Sequence, residues 1–172
     1  MRDAAGRTVV QEWCNCGSLD RLVDANGNAT SWEYDVQGRV TKQIWPDGAF
    51  KTSVYDTRRN LLASTTDAKN QTIGYSYDVD DKLIGISYAN ESIPTPDVTF
   101  SYRVGDPLTG TPDAYGRMRQ MTDGTGTTVY SYNGPTGLGA NRLASVDGPL
   151  SNDTITYAYD ELGRIETRQI DA

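Results

Sequence analysis

A tyrosine-centred octet recurs along this 172-residue chain, and the recurrence limits what the chain can fold into. "YAYDELGR" occupies 157–164, "WEYDVQGR" 32–39 and "YSYDVDDK" 75–82. With the tyrosine before the acid as the mark, Tyr34, Tyr55, Tyr77, Tyr102, Tyr132 and Tyr159 follow one another at intervals of 21, 22, 25, 30 and 27. Self-similarity at such a period signals an array of supersecondary units, each too small to bury its own apolar face. "DAAGR", with Asp3, Gly6 and Arg7, reads as a degenerate earlier copy.

Every unit reads as strand, turn, strand. After the glycine-arginine comes a stretch of β character: "VTKQIW", "LLASTT", "LIGISY", "MRQMT" or "LASV". A turn follows, such as "PDG" at 46–48 or "DGTG" at 123–126, and then a second stretch climbs to the tyrosine, as in "TIGYSY", "TTVYSY" and "TITYAY". That pattern is a β-hairpin. Ile155, Tyr157 and Tyr159 alternate, as do Ile73, Tyr75 and Tyr77, so each set shares one face. The unit with Phe50, Val54 and Tyr55 does not follow this pattern cleanly. The fold expected is all-β, a ribbon of consecutive antiparallel hairpins.

The octet itself reads as a corner. Asp160 and Gly163 stand at the first and fourth positions of a type I turn, as do Asp35 and Gly38. The aspartate can accept from backbone N–H groups two residues on. Arg164 and Arg39 can reach back to the carboxylate. A catalytic Asp–Arg pair is the weaker reading, because every repeat would then be its own active site.

In these residues the chain resembles the YD repeat of the RHS family, large bacterial proteins of the cell surface and of secreted polymorphic toxins. Teneurins and the cocoon-forming components of insecticidal toxin complexes share that repeat. The resemblance runs from Asp3 to the stretch at Ile165–Ile170 and is strongest at Trp32–Arg39 and Tyr157–Arg164. There are departures. Tyr77-Asp78 has Asp81 for glycine and Lys82 for arginine, and Tyr55-Asp56 is followed by Arg58, Arg59 and Asn60. Tyr102 carries Arg103 instead of an acid, with Gly116-Arg117 displaced by an insertion; Tyr132 is followed by Asn133, with Asn141-Arg142 displaced in the same way.

The resemblance implies a hollow shell wound from the ribbon, enclosing a toxic C-terminal domain or presented as a surface module. About six hairpins cannot close such a shell, so the chain is expected to be one array segment spanning 1–172, truncated at both ends, whose partners are the remaining repeats and the C-terminal domain. Open strand edges at Thr8–Trp13 and Ile165–Ile170 favour self-association. The expected location is secreted or cell-surface, although the start of this chain has no apolar signal stretch.

Several function classes fall away. A net charge of −7 repels phosphate backbones, which sets nucleic acid aside. No stretch approaches about 18 consecutive apolar residues, the length that spans a membrane as a helix. Histidine is absent, so neither a Ser-His-Asp triad nor an HExxH zinc site can be built. "GTGTT" at 124–128 is a turn feeding a strand, "DVDD" at 78–81 lacks the glycine and distal glutamate of a calcium loop, and "IPTPD" at 93–97 reads as an extended surface loop. No cofactor is expected, and no enzyme. The family's self-cleaving segment carries an Asp-Pro-x-Gly-Leu-type motif. "GPTGL" at 134–138 is faintly similar but has Gly134 in place of the acid, so no self-cleavage is expected.

"CNCG" at 14–17 stands apart. On a strand, Cys14 and Cys16 would share a face, and a bond between such near neighbours would be strained. Structural or free thiols, an intermolecular disulfide and half of a zinc site all remain open. A scaffold is the leading functional reading. The alternative is a carbohydrate- or protein-binding module using Trp32, Trp45, Tyr88 and Tyr115.

Overall fold

The structure is a computed structural model that describes residues 6–107 and 109–171. Asp3 lies outside the described residues. Among those described there is no helix, and every paired strand is antiparallel.

The chain divides into two compact units, Met1–Ser76 with Ser87–Pro94, and Tyr77–Ile86 with Thr95–Ala172. The first holds β1 (Val10–Trp13), β2 (Leu19–Val23), β3 (Ala29–Tyr34), β4 (Val40–Ile44), β5 (Phe50–Tyr55), β6 (Leu62–Thr66) and β7 (Thr72–Tyr77). β8 (Leu83–Ala89) is divided between the units. The second continues with β9 (Val98–Ser101), β10 (Arg103–Val104), β11 (Thr111–Pro112), β12 (Gln120–Asp123), β13 (Gly126–Tyr132), β14 (Leu143–Asp147), β15 (Ile155–Tyr159) and β16 (Ile165–Ile170). Strand order follows chain order, except that β10 and β11 pair only with each other, so that β12 pairs with β9.

Local chemistry accounts for this order. The strands are rich in threonine, valine, isoleucine and tyrosine, which suit a pleated, half-buried surface. The loops are short enough to fold each strand directly onto its predecessor. Asp35 N–H donates to the Arg39 carbonyl at 3.0 Å, and Gly38 N–H donates back to the Asp35 carbonyl at 3.0 Å. The pair defines a three-residue hairpin loop, a type I turn followed by a residue in the left-handed region. Gly38 fills that place with φ of 80°.

Where glycine is missing, asparagine or aspartate takes the left-handed angle: Asp81 at 63°, Asn60 at 61° and Asn141 at 60°. These side chains tolerate it better than others. The sequence departures therefore keep the backbone path.

The ladder slips at Trp13, Tyr34, Tyr55, Tyr132 and Tyr159, each time at the residue just before the corner. The partners across the slip are Leu19, Val40, Leu62, Leu143 and Ile165. This register adds a corner that lies between "DAAGR" and Tyr34. Trp13 pairs with Leu19 as Tyr34 pairs with Val40, and Trp13 stands 21 residues before Tyr34. The earlier corner is "WCNCGS", with tryptophan for tyrosine and Cys14 for aspartate.

One correction concerns an acid. Tyr102 does have its aspartate, and it is Asp113. The β10–β11 hairpin is inserted between them, and Asp113 N–H donates to the Tyr102 carbonyl at 2.7 Å to close the insertion. Asn133 N–H donates to the Arg142 carbonyl at 2.9 Å, so Asn133 holds the acid's place across the second insertion.

Little is buried deeply. Among the described residues only Thr65, Ser101, Asp113, Gly139 and Tyr159 are buried, and no large side chain is completely covered. Alternation holds on β15, where Ile155, Tyr157 and Tyr159 face inward and Thr156 and Ala158 outward. The units are held by strand ladders and by their corners more than by a central core.

Candidate functional site: the repeated corner

The contacts that make a corner are built outward from the aspartate. Asp35 Oδ1 accepts from the N–H of Gln37 at 2.9 Å and of Arg39 at 3.0 Å. Asp160 repeats the arrangement with Leu162 and Arg164, and Asp78 with Asp80 and Lys82. Asp56 accepts from Arg58 and Arg59 in a loop one residue longer, closed by Asp56 N–H on the Leu61 carbonyl. The other carboxylate oxygen takes the arginine: Arg39 Nε reaches Asp35 Oδ2 at 2.7 Å, as Arg164 Nε reaches Asp160 Oδ2.

The arginine then serves the next repeat. Arg39 stacks over the Tyr55 ring at 4.5 Å and donates to Asn60 Oδ1 at 3.0 Å. Arg117 stacks over Tyr132 at 4.3 Å and donates to the Asn141 carbonyl at 3.0 Å. Lys82 lies 5.3 Å over Tyr102, and Arg142 lies 5.7 Å over Tyr159. All are within cation–π reach.

The tyrosine completes the link. Its hydroxyl donates to the backbone carbonyl that follows the previous corner's basic position: Tyr34 to Leu19 (2.6 Å), Tyr55 to Val40 (3.0 Å), Tyr102 to Leu83 (3.1 Å), Tyr132 to Met118 (2.9 Å) and Tyr159 to Leu143 (2.8 Å). The motif is therefore a turn and also a clamp between neighbouring repeats. The clamp is missed in the sequence because its acceptor is a backbone atom 14 to 19 residues away in the chain, with no side-chain signature.

Electrostatics follows from the bonds. The Arg39 backbone N–H is the foremost group holding the Asp35 carboxyl below the usual carboxylate range, and the Arg164 backbone N–H does the same for Asp160. Asp113 is the most enclosed, its side chain 1% exposed. Burial pushes its carboxyl up. Hydrogen bonds from the Arg117 side chain and backbone, from Arg119 and from Tyr115 N–H win, and hold it far below the ordinary value. Burial raises the Tyr102 and Tyr132 phenols.

These carboxylates are ionised, with their lone pairs already taken by N–H donors. Such groups make poor general bases at neutral pH. Among the described residues, no cluster of three or more His, Cys, Asp or Glu could hold a metal ion. No helix of the described residues is long and apolar enough to cross a membrane.

The other sequence candidates are placed as follows. Tyr75 and Tyr157 stand half-buried on β7 and β15, two residues before the motif tyrosine. Gly116 has φ of 64°, and Gly163 has φ of 74° beside the Arg142 guanidinium. Tyr115 is 59% exposed and its ring lies 4.6 Å under Arg117 of its own corner. Trp32 and Tyr88 are half-buried, and Trp45 is 37% exposed. Pairing of Trp32 with Gln43 sets Trp45 two positions further along β4's line, on the same face as Trp32.

Cys14 and Cys16 are bonded to each other. This corrects the strand reading: they sit in the loop between β1 and β2. Gly17 at φ of 83° tightens that loop, leaving the two Cα atoms 5.1 Å apart, inside the ordinary disulfide range.

Comparison with known proteins agrees with this architecture. Residues 19–49 match the family model described as RHS Repeat. The chain is 27% identical over 147 residues to the tRNA nuclease WapA of Bacillus subtilis (strain 168), and equally to the tRNA3(Ser)-specific nuclease WapA of Bacillus spizizenii, covering 83% of itself and 6% of each relative. In the crystal structure of TcdB2-TccC3-Cdc42, 96% of this chain superimposes with a TM-score of 0.72 at 19% identity, covering 9% of that chain. TcdB2-TccC3 without its hypervariable C-terminal region gives 0.71. This chain thus spans a small fraction of the proteins it matches.

Proposed function

We propose that this chain, whose residues 19–49 match the RHS Repeat model, is a structural segment of a longer shell that encloses or presents a secreted toxin or surface domain. The observation that carries this reading is the clamp. The corners hold the acid in its own turn and direct the base and the tyrosine to neighbouring repeats, so that these groups are engaged in structure. The nuclease activity in the names of the WapA relatives then belongs outside this segment, in keeping with its lack of histidine and its engaged carboxylates. The remaining repeats and a C-terminal domain are its partners, and its location is secreted or on the cell surface.

The test is protease protection of the C-terminal domain in the longer polypeptide. It should be resistant with intact repeats and become cleavable when Tyr34 and Tyr159 are changed to alanine. Equal cleavage in both would refute enclosure. The chain alone should leave tRNA uncut.

One observation favours a second reading, a glycan-binding surface: the shared face of Trp32 and Trp45. Binding on a glycan array that is lost in Trp45→Ala would support it, and no binding would remove it.

A further inference from the structure

We propose that Cys14 and Cys16 form a thiol–disulfide exchange site, opened by a dithiol reductant with Cys14 as the leaving thiolate. The argument comes from position. The loop 14–18 is a corner like the others: Cys14 N–H donates to the Ser18 carbonyl at 2.9 Å, and Gly17 N–H donates to the Cys14 carbonyl at 3.0 Å. Cys14 therefore occupies the aspartate's place. Its sulfur takes the aspartate's bonds too, accepting from the Cys16 N–H at 3.2 Å and the Ser18 N–H at 3.4 Å. Those positions match the two N–H groups that Asp35 Oδ1 receives from Gln37 and Arg39.

A turn that holds an anion in its other copies will hold a thiolate in this one. Hydrogen bonds to the charged form favour ionisation, and a stabilised thiolate is the better leaving group. At Asp35 the same backbone N–H is the foremost cause of its lowered carboxyl. The charged side chains on the adjoining strands are Glu12 on β1, Asp20 and Arg21 on β2 and Glu33 on β3. Glu12 and Arg21 neutralise each other at 3.1 Å, Glu33 is paired with Lys42 at 3.6 Å, and Asp20 is an acid that opposes ionisation. The stabilisation is thus assigned to the turn's N–H groups and not to a neighbouring cation.

Cys16 is the exposed residue of the pair, and Cys14 is half-buried. A reductant thiolate attacks the Cys16 sulfur, the bond between the two sulfurs breaks, and the electron pair leaves on Cys14. The reductant's second thiol, deprotonated, then displaces Cys16 from the mixed disulfide and closes the reductant into its own disulfide. Two electrons pass to the protein. Of the two protons the reductant loses, one ends on Cys16 and one goes to solvent. The two backbone bonds of the loop do not involve sulfur, so the corner survives reduction.

The experiment uses the full chain reduced with dithiothreitol, in Cys16→Ser and Cys14→Ser variants. Iodoacetamide alkylation is followed by mass spectrometry from pH 5 to 10. Cys14 in Cys16→Ser should titrate at least about one pH unit below Cys16 in Cys14→Ser, roughly a tenfold difference in thiolate fraction. Equal titration, or a higher value for Cys14, overturns the proposal. Reduced wild-type protein given less than one equivalent of reagent at pH 6 supplies an independent reading: label on Cys14 supports the site, and label on Cys16 overturns it.

Discussion

Replacing Tyr159 with phenylalanine removes one oxygen and keeps the ring, so it isolates the clamp's hydrogen bond. That hydroxyl donates to the Leu143 carbonyl at 2.8 Å, and Tyr159 is 7% exposed. A buried bond of this kind contributes about 1 kcal/mol net, and the carbonyl left without its donor adds a desolvation cost, so the expected loss is about 1–2 kcal/mol. For a chain of this size that lowers Tm by roughly 2–8 °C. Tyr157→Phe is the control, because it is half-buried on the same strand and alters the same kind of ring without a clamp. Urea denaturation followed by far-ultraviolet circular dichroism reads both. A larger loss in Tyr157→Phe, or an unchanged midpoint in Tyr159→Phe, would refute the assignment of the tyrosine as the link between repeats.

Gly163→Val should destabilise by about 1–3 kcal/mol, since a branched residue must hold φ of 74° against the Arg142 guanidinium; an unchanged melting temperature would contradict the corner. Asp113→Asn should lower stability at neutral pH. The Asp113 carboxyl is depressed in the folded chain, so its contribution is present above the unfolded value of about 3.9 and is lost as pH falls through the folded value. The wild-type advantage over Asp113→Asn, measured by denaturant titration, should therefore hold from pH 7 to 5 and shrink below about pH 4. Intact-mass spectrometry after prolonged incubation should find no break in 133–139, where Gly134 replaces the acid. Light scattering at tens of micromolar should find species larger than a monomer, because every residue of β16 is exposed and the strand has one neighbour.

Much of the fold is legible in the residues. The period, the Asp-x-x-Gly spacing and the alternation of Ile155, Tyr157 and Tyr159 together specify hairpins and their order. Three features are not legible, each for a physical reason. Asp113 hides because the β10–β11 hairpin separates it from Tyr102 by ten residues, so the motif is broken in sequence while intact in space. Cys14 hides because a sulfur can accept the same two N–H groups as a carboxylate, an equivalence no acid-based pattern finds. The clamp hides because its acceptors are carbonyls, which every residue owns. Of the binding candidates, Tyr115 is explained by its contact with Arg117, while the shared face of Trp32 and Trp45 emerges only from strand register.

The phenol is addressed to the main chain, and this has an evolutionary consequence. The residues that receive it are leucine, valine, leucine, methionine and leucine, and any of them could drift without removing the oxygen. The tyrosine is thus the side-chain half of a joint whose other half cannot be mutated away by side-chain change. Loops can also grow at the corner without unfastening it, as 103–112 and 134–140 already do. A corner of this kind is a port: foreign hairpins can be grafted between Tyr102 and Asp113 while the joints on either side stay closed.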